Sequence, residues 1–559
     1  MHSDGNFDKS AYDKASPCQE HGIHMTTPPN NQEIELKLAL ELNQVDAFRR
    51  LMARRRSQPS RQELQTYYFD TPELALGDLG MALRLRRSGK RWIQTLKTEG
   101  NRTGGLSVRA EYETPVSGHA LDLSRLPQQA LEQIPQALRE QLVPVFETRF
   151  VRTAWLLPGQ RGARIEVALD VGEVCAGGRV LPVCEIELEL KAGRSDALFD
   201  LALFLAERMP MLPLDASKAE RGAMLARDMA HAPVKAGSLT LARDMIAEDG
   251  FAAICAACLA HFQANLPGLL LPLPNPPPQA GPRYPAGVEG VNARPEPIDG
   301  DPEYLHQARV ALRRLRAGLR LYRNSCPLPA GESDGLQAGL RALAAALGPA
   351  RDWDVLCLET LPAIQPHFAD ADEWGQFAAA AEAQRRAMRQ DMLSAIRQAN
   401  PGRWLLQFHR WLAEHGWREN PESRLAQLES LSRFAAQALH KGRRRIRRMG
   451  RNFSRLTPEQ RHALRIAIKR QRYAAEFFRN LYPEQASARY VRALALAQDA
   501  LGRANDARVA KDRLHDMRDS GCAFAVGFAD GWLARQALET PPRKIARQVQ
   551  AIMQWKCYW

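Results

Sequence analysis

Two periodicities divide this chain. From Glu33 to about Glu189, apolar and charged residues alternate one for one in short runs closed by Gly, Pro and Asp. From Leu241 onward the apolar spacing is three to four, and Ala, Leu, Arg and Glu dominate. Period two predicts strands and the longer period predicts helices. Eight strand-like runs stand in the first regime: 33–38, 65–70, 81–87, 92–97, 108–113, 146–154, 164–170 and 183–190. Gln65–Asp70 is closed by a Thr71-Pro72 turn, and Ser88-Gly89-Lys90 makes a hairpin of the next two runs. A short helix is expected over 44–56.

The charged faces are unusual. The first run puts Glu33, Glu35 and Lys37 on one side and Ile34, Leu36 and Leu38 on the other. Ala82, Arg84 and Arg86 share a face, as do Arg109, Glu111 and Glu113, while Lys97 ends the fourth run and Arg149 lies in the sixth. In the last, Glu185, Glu187 and Glu189 alternate with Ile186, Leu188 and Leu190. Singly, each reads as a strand with one solvated face. In series, acidic rows and basic rows suit a closed barrel with a charged lumen, where each charge finds a partner or a ligand. Carboxylate rows suit hard cations such as Mg²⁺ or Mn²⁺, and arginines suit phosphate oxygens.

The helical regime contains a duplication. His306-Gln-Ala-Arg309-Val-Ala-Leu-Arg313-Arg314-Leu-Arg316 parallels His462-Ala-Leu-Arg465-Ile-Ala-Ile-Lys469-Arg470-Gln-Arg472. Leu347-Gly348-Pro-Ala-Arg351-Asp352-Trp-Asp354 parallels Leu501-Gly502-Arg-Ala-Asn505-Asp506. At about 100° per residue, His306, Arg309, Arg313, Arg316 and Arg320 fall within an arc of about 80°. Leu312, Leu315 and Leu319 take the adjacent, core-facing side. The second copy places His462, Arg465, Lys469 and Arg472 alike, with Glu476 in the fifth position. Such a stripe lacks helical salt-bridge partners and repels itself until an anion arrives, or until acids of other helices face it. Asp352, Asp354 and Asp506 are expected to orient arginines rather than bind metal. A further basic run, 440–451, admits nucleic acid as a rival ligand, but no aromatic stacking strand or recognition-helix context accompanies it.

Composition narrows the picture. A chain of 559 residues with a net charge of +14 implies several domains and an anionic partner. Nine irregularly spaced cysteines do not form a disulfide framework, and Cys255-Ala-Ala-Cys258 sits in an apolar helical run as buried core. No apolar run is read as reaching the ~18 residues of a membrane span. A cytoplasmic protein is the expectation. Residues 1–31 read as a disordered lead-in, 32–230 as one domain, 231–240 as a linker, 241–545 as a helical domain and 546–559 as a tail. Residues 267–302, dense in Pro and Gly, read as a loop inserted between helices.

Two resemblances follow from these residues. Glu33-x-Glu35-x-Lys37, Tyr68-Phe69-Asp70-Thr71, Leu83-Arg84-Leu85-Arg86, Lys97, Arg109-x-Glu111-x-Glu113, Glu185-x-Glu187 and Ser217-Lys218-Ala219-Glu220-Arg221 together resemble the CYTH, or triphosphate tunnel metalloenzyme, family. The repeated His-x-x-Arg helix with its Leu-Gly…Asp segment resembles the CHAD family. The pair implies an α+β multidomain protein, with an eight-stranded antiparallel β tunnel and an all-α domain of two duplicated four-helix bundles. In the tunnel, Glu33, Glu35, Glu185, Glu187 and Asp170 would be metal carboxylates, and Mg²⁺ or Mn²⁺ the cofactor. Lys37, Arg84, Arg86, Lys97, Arg109, Arg149, Lys218 and Arg221 would bind triphosphate, with Glu33, Glu35, Lys37 and Lys97 as the catalytic set. His306, Arg309, Arg313, Arg316, Arg320, His462, Arg465, Lys469 and Arg472 would bind inorganic polyphosphate. The implied activity is hydrolysis of inorganic triphosphate. A non-catalytic polyphosphate adaptor and an adenylate cyclase acting on ATP are the alternatives.

Overall fold

The structure is a computed structural model that describes residues 32–270 and 300–559, apart from 56, 90, 230, 329–332, 420, 519–520 and 540–541. The expected lead-in and nearly all of the Pro-rich loop lie outside the described residues.

The expected runs become the strands β1 (Gln32–Ala39), β2 (Ser60–Asp70), β3 (Ala82–Ser88), β4 (Arg91–Lys97), β6 (Leu106–Val116), β7 (Val143–Pro158), β8 (Arg164–Ala176) and β9 (Arg179–Ala192). They pair in the order β1-β9-β8-β7-β2-β3-β4-β6, and β6 returns to β1, so the antiparallel sheet closes on itself. Two short strands, β5 (Asn101–Thr103) and β10 (Leu212–Pro213), attach at its ends. The barrel is inverted relative to a soluble one. Its alternation turns charges inward, while Ile34, Leu36, Leu38, Ile186 and Leu188 face outward at 0% exposure. That outer face is covered by Phe48 and Met52 of α1 (Val45–Ala53) and by Leu198, Phe199, Ala202 and Leu205 of α2 (Asp196–Ala206). Each such aliphatic or aromatic group contributes about 1.5–3 kcal/mol through burial, which anchors a wall whose inner face is all charge.

Helix α3 (Lys218–Ala226) starts on a capping box. The Ser217 hydroxyl accepts from Glu220 N at 3.1 Å, and the Glu220 carboxylate accepts from Ser217 N at 2.8 Å. This fixes Lys218 at the first turn, at the mouth of the barrel. Asp70 plays a similar local part, accepting from the amides of Thr71, Leu76 and Gly77 at 2.7–2.9 Å.

The helical half contains α4 (Ala247–Asn265), α5 (Pro302–Leu321), α6 (Ser333–Val355) and α7 (Ala371–Gln398), then α8 (Pro401–Ala413). The second set is α9 (Leu431–Gly450), α10 (Pro458–Phe477), α11 (Glu484–His515) and α12 (Ala523–Glu539), closed by α13 (Pro542–Met553). The duplicated segments fall on α5 and α10 and on α6 and α11, so two four-helix sets repeat one plan. One core joins α4, α5, α9 and α10 through Phe251, Phe262, Leu312, Leu315, Leu464 and Ile468. Another joins the ends of α6, α7, α11 and α12 through Trp353, Phe377, Leu514 and Val526.

Two expectations are corrected here. Helix Ala247–Leu270 is, by length and composition alone, apolar enough to cross a membrane. Its residues Phe251, Ile254, Cys255, Cys258, Leu259 and Phe262 are buried in the core of a helical bundle, while Ala257 and Ala260 on its other face are exposed. Segment 546–559 is no free tail: Val549 and Ile552 are at 0% exposure, and Trp555, Tyr558 and Trp559 pack on the same core. The i, i+3 apolar spacing of α13 makes that contact.

Candidate active site and anion cleft

The barrel encloses a cavity of about 230 Å³ lined by Glu33, Lys37, Tyr68, Arg84, Arg86, Lys97, Arg109, Glu111, Glu113, Arg152, Glu166, Glu187, Glu189, Lys191 and Lys218, among others. Register explains the convergence. Lys37 stands opposite Glu187 and Glu33 opposite Arg109, while Asp170 lies between Arg152 and Glu185 on the neighbouring strands. Residues distant in sequence thus form one ring.

Two acidic groups occupy it. Asp170, Glu185 and Glu187 bring carboxylate oxygens within 4.8 Å of one another. The Lys218 ammonium reaches all three, with Asp170 Oδ2 at 2.6 Å and Glu187 Oε1 at 2.9 Å. Arg152 donates to Asp170 at 2.7 Å and also to Glu187. Glu33 and Glu35 form the other group. Lys97 donates to Glu33 at 2.6 Å, Arg109 to Glu33 at 3.0 Å and to Glu35 at 2.6 Å, and Lys37 to Glu35 at 2.6 Å. The expected metal carboxylates are therefore divided between two groups, with Asp170, Glu185 and Glu187 gathered in one.

Charge state follows from burial against pairing. Burial would raise the Glu33 carboxyl, but Lys97, Arg109 and Lys37 hold it well below the usual range. Burial opposes ionisation of Glu187 in the same way and is overcome by Lys218 and Arg152. Lys218 is pushed up by Asp170, Glu185 and Glu187 against its own desolvation. Arg86 differs. Burial and the neighbouring Arg84 and Arg152 push it down to about 10, and it has no salt-bridge partner among the described residues. A half-buried guanidinium repelled by two others, and facing a cavity, is a site prepared for an anion.

Of the cations that the resemblance assigns to triphosphate, Lys37, Arg84, Arg86, Lys97, Arg109 and Lys218 line the cavity. Arg221 is not among the lining residues and instead pairs with Glu185 of the acidic cluster. Arg149 is corrected: its side chain is 54% exposed and pairs with Glu147 on the outer surface. Strand β7 turns Phe146, Thr148, Phe150 and Arg152 inward, so the neighbouring odd positions face out. Arg152 is the missed lumen cation, and the phase of Phe146 and Phe150 was the signal for it. Arg149→Ala is accordingly expected to leave anion binding in the bore within about twofold of normal, whereas Arg152→Ala weakens it by ~10²-fold. Calorimetric titration of both variants with tripolyphosphate checks this.

The helical half brings its two stripes together. Burial pushes Lys469 down to about 8, with Arg313, Arg465, Arg472 and Arg309 adding repulsion from both repeats. Arg309 donates to Leu347 O at 3.0 Å and approaches Asp352 at 3.7 Å, while Arg465 stands 3.5 Å from Asp506. Asp354 pairs with Arg385 at 3.1 Å. These acids hold arginines, as expected of them. Arg313 and Lys469 have no acidic partner among the described residues, and Glu476 is taken up by Arg472 at 3.4 Å. Arg316 and Arg320 are exposed further along α5, near Arg341 and Arg470. His306 is held down by burial and Arg351, and His462 is exposed.

Lys469 gives the cleft a pH signature. Free, it loses its proton above about 8; a bound polyanion restores the proton toward the ordinary value near 10.5. Affinity for any polyanion that binds there is therefore expected to fall as pH rises from 8 toward 10.5, with proton uptake on binding in that window. Titration calorimetry at pH 7 and 9.5 checks it, and Lys469→Arg is expected to flatten the dependence.

Comparison with known proteins agrees with this arrangement. Residues 31–223 match the CYTH domain family, and residues 289–515 match the CHAD domain family. The chain is a CYTH domain followed by a CHAD domain. A curated relative, an inorganic triphosphatase of Haemophilus influenzae, is 36% identical over 207 residues, 35% of this chain and 55% of the relative. The chain thus spans about half the length of that relative. Among solved structures, the CHAD domain of the plant Ricinus communis is 30% identical over 57% of this chain and 97% of its own, with a TM-score of 0.46. A protein from Hippeastrum, described as a putative adenylyl cyclase with a dominant triphosphatase activity, is 19% identical over 34% of this chain and 96% of its own, with a TM-score of 0.26. The CHAD match is shorter than the helical half of 241–545 expected from the sequence.

Proposed function

We propose that the CYTH tunnel hydrolyses inorganic triphosphate to pyrophosphate and phosphate, and that the CHAD cleft binds inorganic polyphosphate. Arg86 carries the tunnel reading: a half-buried cation with no salt-bridge partner among the described residues, beside Arg84 and Arg152 and facing the same cavity as Glu187. The carboxylate oxygens of Asp170, Glu185 and Glu187 are hard donors close enough to serve one divalent ion, Mg²⁺ or Mn²⁺. Bound there, the ion would neutralise phosphate oxygens and polarise the bond to be broken. The protein's own groups do the rest. Arg84, Arg86 and Arg152 grip and align the chain, and Lys37, Lys97 and Lys218 offset charge that builds as the P–O bond parts. The closed wall limits access of bulk water to the ends of the bore.

Phosphate release from tripolyphosphate by the full chain, with Mg²⁺ or Mn²⁺ and without, tests the tunnel. Cyclic AMP formed from ATP would replace the reading with a cyclase, and binding with no turnover would replace it with an adaptor. For the cleft, the unneutralised Arg313–Lys469 pair is the support, and the polymer it fits is a flexible polyanion. Affinity for long-chain polyphosphate above that for DNA at matched salt is the expected result. A cytoplasmic location at polyphosphate granules accords with this reading, and imaging a fluorescent fusion of the chain tests it.

A further inference from the structure

The backbone of Lys37, as well as its side chain, is held at one end of the tunnel. Lys37 N donates to Gly105 O at 3.0 Å, and Lys37 O accepts from Leu214 N at 2.9 Å. Gly105 N in turn donates to Asp215 Oδ1 at 2.7 Å. The Gly104–Gly105 turn and the segment 211–215 thus form a collar around the end of β1. Three residues after Asp215 the chain delivers Lys218 to its three carboxylates. Lys37 and Lys218, two of the four lysines that line the cavity, thus stand on or next to this collar.

The outer side of the collar rests on the helical half. A Cβ on Gly402, in the first turn of α8, would stand 1.6 Å from Met211 O, and one on Gly104 would stand 2.2 Å from the His409 ring. His409 is 2% exposed, and neither ring nitrogen has a hydrogen-bond partner among the described residues. A polar ring placed there without partners serves as a shaped wedge. Polar contacts frame it: Asn400 Nδ2 donates to Ala206 O at 3.0 Å, Arg403 pairs with Glu207 at 3.1 Å, and Arg410 pairs with Asp200 at 2.7 Å. Leu406 of the same helix enters the barrel's outer core at 0% exposure.

We propose that α8 is a positioning element of the tunnel enzyme: through Gly402 and His409 it sets the collar that places Lys37 and Lys218, so turnover depends on the helical half. The effect on turnover rests on the triphosphatase reading; the effect on the collar does not. Sub-ångström to ångström shifts of charge-bearing groups cost up to about 10²-fold in rate.

Gly402→Leu in the full chain tests it. Leu is a better helix former than Gly, so α8 itself is not weakened, while the side chain must push the collar away. The expected result is a kcat on tripolyphosphate lowered by tenfold or more, with KM changed less and polyphosphate binding by the cleft unchanged. Amide hydrogen exchange at 36–38 and 211–218 is expected to rise. His409→Ala is expected to lower kcat, and His409→Phe, which refills the space, to restore most of it. Normal exchange in the collar of Gly402→Leu overturns the proposal, as does normal kcat with raised exchange. If the unmodified chain turns over no tripolyphosphate, the triphosphatase reading fails, and the exchange experiment still decides whether α8 sets the collar.

Discussion

Glu187→Gln is expected to lower kcat on tripolyphosphate by ~10²–10³-fold while leaving the barrel folded. Glu187 faces the cavity, and its carboxylate belongs to the cluster with Asp170 and Glu185. It also accepts from Lys218 at 2.9 Å and from Arg152. The amide keeps the shape and one acceptor oxygen, but it turns the other oxygen into a donor facing a cation and removes the charge that binds a hard cation. Two lumen cations are then left with less compensation, so a fall in thermal stability is expected too; disturbing a buried ion pair costs about 3–5 kcal/mol at the upper end. Glu147→Gln, on the outer wall beside Arg149, is the control and is expected to be near normal. Rates at saturating Mn²⁺ separate weakened metal binding from lost chemistry. A Glu187→Gln rate within threefold of normal would remove the acidic cluster from the mechanism.

The second large effect is expected in the cleft. Reversing both unpaired cations, Arg313→Glu with Lys469→Glu, is expected to weaken long-chain polyphosphate binding by ~10²-fold or more, since truncating charge contacts at desolvated sites costs about 2–5 kcal/mol. The dependence of affinity on salt should shallow as well, because fewer counterions are exchanged. Neither substitution removes an internal salt bridge among the described residues, and both take a cation out of the mutual repulsion among Arg309, Arg313, Arg465, Lys469 and Arg472. Hydrolysis of tripolyphosphate in the tunnel should be unaffected. Fluorescence titration at several salt concentrations reads both quantities.

The alternation of Glu33, Glu35 and Lys37 against Ile34, Leu36 and Leu38 was enough to define the first strand, and similar runs defined the other barrel strands. Which face turned inward was legible only because so many charged rows occurred together; the apolar rows became an outer core under α1 and α2. Grouping of the acids was not legible. It depends on register: Asp170 lies beside Glu185, and Lys37 beside Glu187, through pairings between strands far apart in sequence. Arg149 was misplaced for a simpler reason. Two arginines three residues apart on a strand lie on opposite faces, and only the phase of Phe146 and Phe150 distinguishes them. In the helical half, the duplication predicted that two basic helices would share a plan. Their approach within one cleft appears in the repulsion that Lys469 feels from both copies. The contact of α8 with the collar had no sequence signal, because Gly402 and Gly104 matter through what they allow to come close.

The most direct measurement is an anomalous difference map from crystals of the full chain grown with Mn²⁺ and tripolyphosphate. A Mn²⁺ peak bonded to Glu187 and Asp170, with phosphate oxygens against Arg84, Arg86 and Arg152, is the predicted result. Tripolyphosphate bound outside the bore, or Mn²⁺ found only on the exterior carboxylates, would contradict the assignment of this tunnel as the site of hydrolysis.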